Sequence, residues 1–401
     1  MPSAFWRRWF AISLALLVLL VAAAGAILYF QGRLPGLPGP PAQPANNEQP
    51  RGGSPPSRPE APSASIGSGP SASSSWYQLF FTQPAYPDRA ELHSGTSLDG
   101  QLVALIASAQ KTIDAASYDF DLENVATALA AAQTRGVRVR FVTDTDTWTH
   151  RNPTIQKAWT ILKAANIPIV DDQRGPIMHN KFMVVDAEWV WTGSWNWTSG
   201  DTYRLNNNAI QIKSKELAEN YTVEFEKMFT LRKFGPTKPR GVPFPQITIQ
   251  NVLVENYFAP EDDVTSHILN RISGATKSIQ FMAFSFTLDK LGQALIGRHK
   301  AGVQVRGVFE TTGSETQFSE YRALKQAGLD VMKDGNPYVM HHKVFIIDGK
   351  TVIFGSFNFS SNAEKDNDEN LLIIDDLNLA EAFTAEMERV VSMAKNPPTR
   401  K

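Results

Sequence analysis

Apolar and polar positions along this chain run through the same order twice. In the first stretch, Leu102, Val103, Leu105 and Ile106 give a helical pattern, and Lys111-Thr112-Ile113 opens an apolar strand candidate over 113–120. A further helix then leads to Arg135-Gly136-Val137-Arg138-Val139. In the second stretch, Ile268 and Leu269 precede Lys277-Ser278-Ile279, a strand candidate over 279–286, a helix, and Ala301-Gly302-Val303-Gln304-Val305. Gly136 and Gly302 stand where a helix ends and a buried strand begins, as a left-handed C-terminal cap requires. Apolar runs at 178–186 and 340–348, each followed by a short turn and another apolar run, predict two hairpins. Asp348-Gly349 suits a two-residue turn, because both residues accept positive φ. Strand, helix, strand, helix, strand and hairpin, given twice, predict an α/β fold of two homologous repeats, each a sheet covered by helices.

Boundaries follow from where the pattern changes. The repeats are expected over 76–234 and 248–401, joined at 235–247 by a breaker-rich connector from Gly235-Pro236 to Pro243-Phe244-Pro245 that can reverse the chain. Upstream, Phe10 to Phe30 is an uncharged run of 21 residues preceded by Arg7 and Arg8. It is long enough to cross a bilayer core of about 30 Å, and the positive flank favours a cytoplasmic N-terminus. Residues 1–31 are therefore expected to be a transmembrane anchor, with the rest of the chain extracytoplasmic. The alternative is a cleaved signal peptide, for which Ala22-Ala23-Ala24 and Ala24-Gly25-Ala26 offer small-residue sites; the protein would then be secreted. Residues 32–75 are rich in Pro, Ser and Gly, with eleven of the chain's 25 prolines between 31 and 75, and read as a disordered tether. No cysteine is present, which removes any disulfide framework and any thiolate-held zinc.

The repeats carry the same chemistry at the same offset. Met178-His179-Asn180-Lys181, four apolar residues, Asp186, then Gly193-Ser194-Trp195-Asn196 recurs 162 residues later. The second copy is Met340-His341-His342-Lys343, Asp348 and Gly355-Ser356-Phe357-Asn358. Side chains two apart on a strand share a face, so His179 joins Lys181, His341 joins Lys343, and His342 points away. Ser194 with Asn196, and Ser356 with Asn358, add a hydroxyl and an amide to each cluster. An imidazole can act as nucleophile or acid–base group, while lysine, serine and asparagine donate hydrogen bonds to an anion. Two such clusters facing each other supply metal-free phosphodiester exchange.

The pattern His-x-Lys-x4-Asp followed by Gly-Ser-x-Asn resembles the phospholipase D superfamily over most of residues 85–392, and most of all its bacterial nuclease-like and cardiolipin-hydrolase-like branch. The resemblance implies two repeats packed as a pseudo-two-fold unit with one active site at their interface, and a covalent phosphohistidine. It implies catalytic His179, Lys181, His341 and Lys343, with His179 as nucleophile and His341 as general acid. Ser194, Asn196, Ser356, Asn358, Glu369, Asp186 and Asp348 form the phosphate-binding and supporting set. For the two aspartates a structural role at the turn is preferred. Cardiolipin synthases of the family carry Gly-Gly where this chain has Gly193-Ser194, which lowers that reading. The family also places a carboxylate after the second motif to orient a histidine; Glu369 fits, whereas Asn207 stands at its counterpart, with Asp201 as a candidate substitute. Which histidine Glu369 serves is left open by the sequence.

Isolated histidines (His93, His150, His267 and His299) are expected to be structural. Met178, Met340, Trp195, Trp197, Phe357 and Phe359 read as packing. Asp144, Asp146, Asp171 and Asp172 recur as no ligand set in both halves, so no metal and no cofactor is expected. Five basic and two acidic residues precede Trp76, leaving 34 basic against 38 acidic in the remainder. That balance lacks the positive footprint of a nonspecific nuclease. The expected partners are a phospholipid substrate and a membrane surface, met by a monomer. Trp148, Trp159, Phe318 and Tyr321 are candidate interface residues. Phospholipid hydrolysis leads, with endonuclease activity and phosphatidyl transfer, including cardiolipin synthesis, as alternatives.

Overall fold

A computed structural model describes residues 71–93 and 97–398. The apolar run at 10–30 and nearly all of the tether lie outside the described residues, and among those described no helix is long and apolar enough to cross a membrane. The tether's last residues do take part in the fold: Ala72–Ser73 pairs antiparallel with Tyr77–Phe81.

Each half is a mixed eight-stranded sheet built to one plan. In the first, the order is Ala72–Ser73, Tyr77–Phe81, Asn208–Lys213, Trp189–Gly193, Lys181–Val185, Thr112–Ser117, Arg138–Thr143, Ile169–Asp171. In the second it is Gln246–Ile249, Val252–Ala259, Glu369–Asp375, Thr351–Gly355, Lys343–Ile347, Ser278–Ala283, Gln304–Phe309, Asp330–Lys333. Parallel pairs arise where a helix returns the chain, at Thr112–Ser117 with Arg138–Thr143 and at Ser278–Ala283 with Gln304–Phe309. The hairpin strands pair antiparallel.

The central strands are buried on both faces, which is why they read as unbroken apolar runs. Alternate residues go to different cores. Phe182 and Val184, with Val344 and Ile346, enter one central core, while Met183 and Val185 face the first half's outer core and Phe345 and Ile347 the second's. The helices Lys215–Phe229 and Leu377–Lys395 add Leu217, Tyr221, Phe225, Phe383 and Met387 to the central core, which draws on both halves.

Two expectations need correction. The turns hold three residues, since Val185 pairs with Trp189 and Ile347 with Thr351. Asp186 and Ala187, like Asp348 and Gly349, have positive φ, and the residue after each pair is the extra one. Secondly, the motif histidines and serines lie just outside the strands rather than within them. Met178 bridges to Asp368 and Val339–Met340 pairs with Leu205–Asn206, both in parallel, so the segment before each hairpin crosses to the opposite half.

Candidate active site

That crossing fixes the histidine backbones. His179 N donates to Asp368 O at 2.9 Å, and His341 N donates to Asn206 O at 2.9 Å. Each lysine then folds back on its own histidine, Lys181 Nζ to His179 O at 2.6 Å and Lys343 Nζ to His341 O at 2.8 Å. The side chains of all four residues are almost wholly enclosed. An aromatic residue flanks each pair. The ring of Tyr118 lies 5.2 Å from that of His179 and 5.1 Å from Lys181 Nζ, while that of Phe284 lies 4.6 Å from His341 and 4.6 Å from Lys343 Nζ. Tyr118 and Phe284 occupy matching places just past Ser117 and Ala283, where an aromatic reads as ordinary packing; sequence reasoning missed both.

Each imidazole is oriented by the other half, and by a different group. His179 Nδ1 lies 2.7 Å from Glu369 Oε2, which also accepts from Ser356 Oγ at 2.7 Å. His341 Nδ1 lies 2.9 Å from Asn207 Oδ1, which accepts from Ser194 Oγ at 2.8 Å. Asp201 is one step removed, 3.5 Å from His341 Nδ1, and receives Asn207 Nδ2 at 3.2 Å. The missing carboxylate is thus replaced by an amide backed by a carboxylate.

Burial and then the two lysine charges hold both imidazoles well below their ordinary 6.5. Each lysine acts on both histidines, which places all four groups in one electrostatic unit. Lys181 is itself pushed down to about 8 and Lys343 well below 10.5, in both cases chiefly by burial. Burial raises Glu369 to about 8. The His179–Glu369 contact at 2.7 Å is a short hydrogen bond within this enclosed site.

The supporting set divides. Ser194 and Ser356 are fully buried, donate to Asn207 and Glu369, and accept from Asn208 N at 3.1 Å and Asn370 N at 3.0 Å. They brace the orienting residues and leave nothing for a phosphate. The glycine before each is required by crowding: a Cβ at Gly193 would stand 2.3 Å from Asn208 O, and one at Gly355 2.3 Å from Asn370 O. Asn196 Nδ2 donates to Asp201 Oδ1 at 3.1 Å, and Asn358 is half-buried. Asp186 and Asp348 turn toward the backbone of the neighbouring strand. Asp186 accepts from the backbone N–H of Gln110, Lys111 and Thr112, and Asp348 from those of Thr276, Lys277 and Ser278. They pin the start of the neighbouring strand, as the structural preference had it.

His342 turns away, into hydrogen bonds with Asn208 Nδ2 at 3.0 Å and Glu386 Oε1 at 2.9 Å. Asp144 caps the turn at Asp146 and accepts from Met178 N at 3.0 Å, so it supports the first motif's approach. Trp159 is core and Trp148 packs against it with ring centroids 5.4 Å apart, which removes Trp159 as an interface residue. Tyr321 is partly buried, whereas Phe318 is 69% exposed.

Known proteins share both the sequence pattern and the fold. Phospholipase D of Rickettsia felis is 39% identical over 130 residues, which is 32% of this chain and 65% of that protein. Mitochondrial cardiolipin hydrolase of Xenopus laevis is 33% identical over 129 residues, 32% of this chain and 61% of the relative. The match therefore spans a little under two thirds of either relative. The crystal structure of phosphatidylserine synthase from Haemophilus influenzae shares the fold, with a TM-score of 0.57 at 14% identity, covering 74% of this chain and 84% of that one. The family described as "Cardiolipin synthase, PLD-like domain" matches at 102–229 and again at 268–391, and these two spans carry the paired motifs and six of the eight strands of each sheet. With more than half of its length so matched, the chain belongs to the phospholipase D superfamily.

Proposed function

We propose that the protein is a phospholipase D-type phosphodiesterase that hydrolyses phospholipid head groups through a phosphohistidine. The observation that carries this reading is the crossed orientation of the two histidines: each Nδ1 is tied to the other half, at 2.7 and 2.9 Å, leaving the opposite nitrogen of each ring for chemistry.

The unequal partners assign the roles. Glu369 accepts a hydrogen bond from His179 Nδ1–H, which fixes the tautomer that leaves Nε2 free and strengthens it as a nucleophile. Asn207 orients His341 without lowering its acidity as a carboxylate would, which suits a general acid. In the first step His179 Nε2 bonds to phosphorus and the P–O bond to the leaving alcohol breaks. The His341 imidazolium gives that oxygen its proton. A phosphodiester anion between Lys181 and Lys343 offsets their charges and so lets His341 hold that proton. In the second step His341 takes a proton from water, the water oxygen bonds to phosphorus, and the P–N bond to His179 breaks. The lysines stabilise charge on the non-bridging oxygens throughout.

Relatives named phospholipase D and cardiolipin hydrolase support a lipid substrate, as does the absence of a basic surplus in the repeats. Transfer of the phosphatidyl group to an alcohol would use the same intermediate with a different acceptor. Incubation with mixed phospholipids and, separately, with single-stranded DNA and RNA tests the reading. Release of phosphatidic acid without nucleic-acid cleavage is expected, with acid-labile phosphate trapped on His179. In His341→Ala the label should persist with an activated p-nitrophenyl diester, whose leaving group needs no proton, and in His179→Ala it should vanish. Cleaved nucleic acid and intact lipid would overturn the lipid assignment; a label on His341 alone would reverse the roles.

A further inference from the structure

The backbone anchor of His179 is held by a charged assembly that, among the described residues, has no counterpart at the backbone anchor of His341. We propose that Asp368 is a positioning residue for the nucleophile, a peg that fixes both the backbone and the ring of His179 from the opposite half. This rests on the two-histidine reading above.

Asp368 is fully buried, and its main chain is paired with the strand-like stretch before the first motif: its O accepts from His179 N at 2.9 Å and its N donates to Ile177 O at 3.1 Å. The next residue is Glu369, whose carboxylate grips the ring. Any tilt of the 368–369 peptide therefore moves both anchors of His179 together. The Asp368 side chain is what prevents the tilt. Its Oδ2 accepts from Arg174 Nη2 at 2.5 Å, and its Oδ1 from Gly235 N at 2.7 Å and Lys238 Nζ at 3.0 Å. Arg174 belongs to the approach to His179, and its Nη1 also donates to Asp366 O at 3.1 Å. Lys238 belongs to the connector and is itself pinned by Glu224 of the first half and by Glu261 at 3.0 Å in the second. One carboxylate thus joins the first half, the second half and the connector directly behind the nucleophile.

The pseudo-symmetric position is uncharged. Asn206 O accepts from His341 N, but among the described residues the Asn206 side chain meets only an amide, Asn336 Nδ2 to Asn206 Oδ1 at 2.7 Å, and Asn206 Nδ2 is buried without a partner there. A general acid only delivers a proton, whereas a nucleophile has to meet phosphorus in line, so the stiffer mount sits on the group with the stricter geometric demand.

The test separates the step that uses His179 from the rest. With an activated p-nitrophenyl diester, Asp368→Asn is expected to slow single-turnover phosphohistidine formation by about tenfold or more, a loss typical of small misplacements of a reacting group. Half-saturating substrate should change little, and far-UV circular dichroism should match the parent. Asn206→Ala should slow this step less than Asp368→Asn, and the ranking should reverse with an alkyl leaving group, where the general acid matters. If Asp368→Asn does not fold, Arg174→Gln, at a partly exposed side chain, should show the same step-specific defect in smaller measure. Variants of Asp368 and Arg174 that form phosphohistidine at the parental rate would overturn the proposal. A parent protein that forms no phosphohistidine at all would instead refute the two-histidine reading.

Discussion

At the scale of single residues, the site holds an inequality between two otherwise matched groups. Glu369 on His179 and Asn207 on His341 occupy the same place in the two repeats, each with a serine behind it. Replacing Asn207 by Glu makes them equal. The new carboxylate should raise the pKa of His341, and every tenfold gain in proton affinity corresponds to about 1.4 kcal/mol. Turnover of lipids with poor leaving groups should fall, since a more basic imidazolium is a weaker acid, and trapped phosphate should divide between His179 and His341. Peptide mapping reads the outcome; phosphate confined to His179 in Asn207→Glu would show that the partner does not set the roles. The duplicated motif made His179, Lys181, His341 and Lys343 legible from sequence alone. It could not reveal that Ser194 and Ser356 face backwards, because face parity holds only within a strand and both serines lie past its end. Nor could it show which histidine Glu369 reaches, since that is decided by a contact across 190 residues of chain.

At the scale of elements, the hairpins are set by what receives their turns. Asp186 and Asp348 adopt φ of 54°, a left-handed conformation that Asp tolerates, and from there each gathers the backbone N–H groups at the start of the adjacent strand. Those three donors hold the Asp348 carboxyl down at about 2, and Asp186 is lowered for the same reason. A carboxyl whose pKa is depressed by folding stabilises the native state above its unfolded value near 4, and the contribution disappears as pH falls toward 2. Asp348→Asn should therefore lower Tm at pH 7, while the variant and the parent converge near pH 2. Thermal melts across that range check it, and a constant gap would mean that the side chain acts by shape rather than by charge. The repeat pattern gave the order of strands and helices because each strand's apolar run and each glycine cap are local signals. The three-residue turn and the parallel bridges across the halves were not legible, because both depend on what the chain meets after it has folded.

At the scale of the whole molecule, the two repeats share a central interior besides the outer core that each has of its own. Phe182, Tyr221 and Phe258 sit in one central core with Phe354 and Phe383, and burying a side chain of this size contributes about 1.5–3 kcal/mol. Separation of the halves would expose several at once, a loss comparable to the whole stability of a typical domain, about 5–15 kcal/mol. Residues 71–245 or 246–398 expressed alone should self-associate or fail to unfold cooperatively, and neither should cleave phospholipid. Co-expression should restore activity, as each half brings the orienting partner that the other lacks. Size-exclusion chromatography with activity assays would decide, and a monomeric, active half would contradict the shared core.

One consequence concerns inheritance. Two identical copies related by a two-fold axis must carry the same substitution on both sides, so any change to the partner of one histidine is imposed on the other. Joining the copies through a connector that Lys238 ties into the interior removes this constraint. Glu369 and Asn207, Asp368 and Asn206, Arg174 and Asn336 are places where the two repeats carry different residues at the same offset. The covalent link thus permits the halves to diverge, so that the partners of the two histidines can be changed by independent mutations within a single gene.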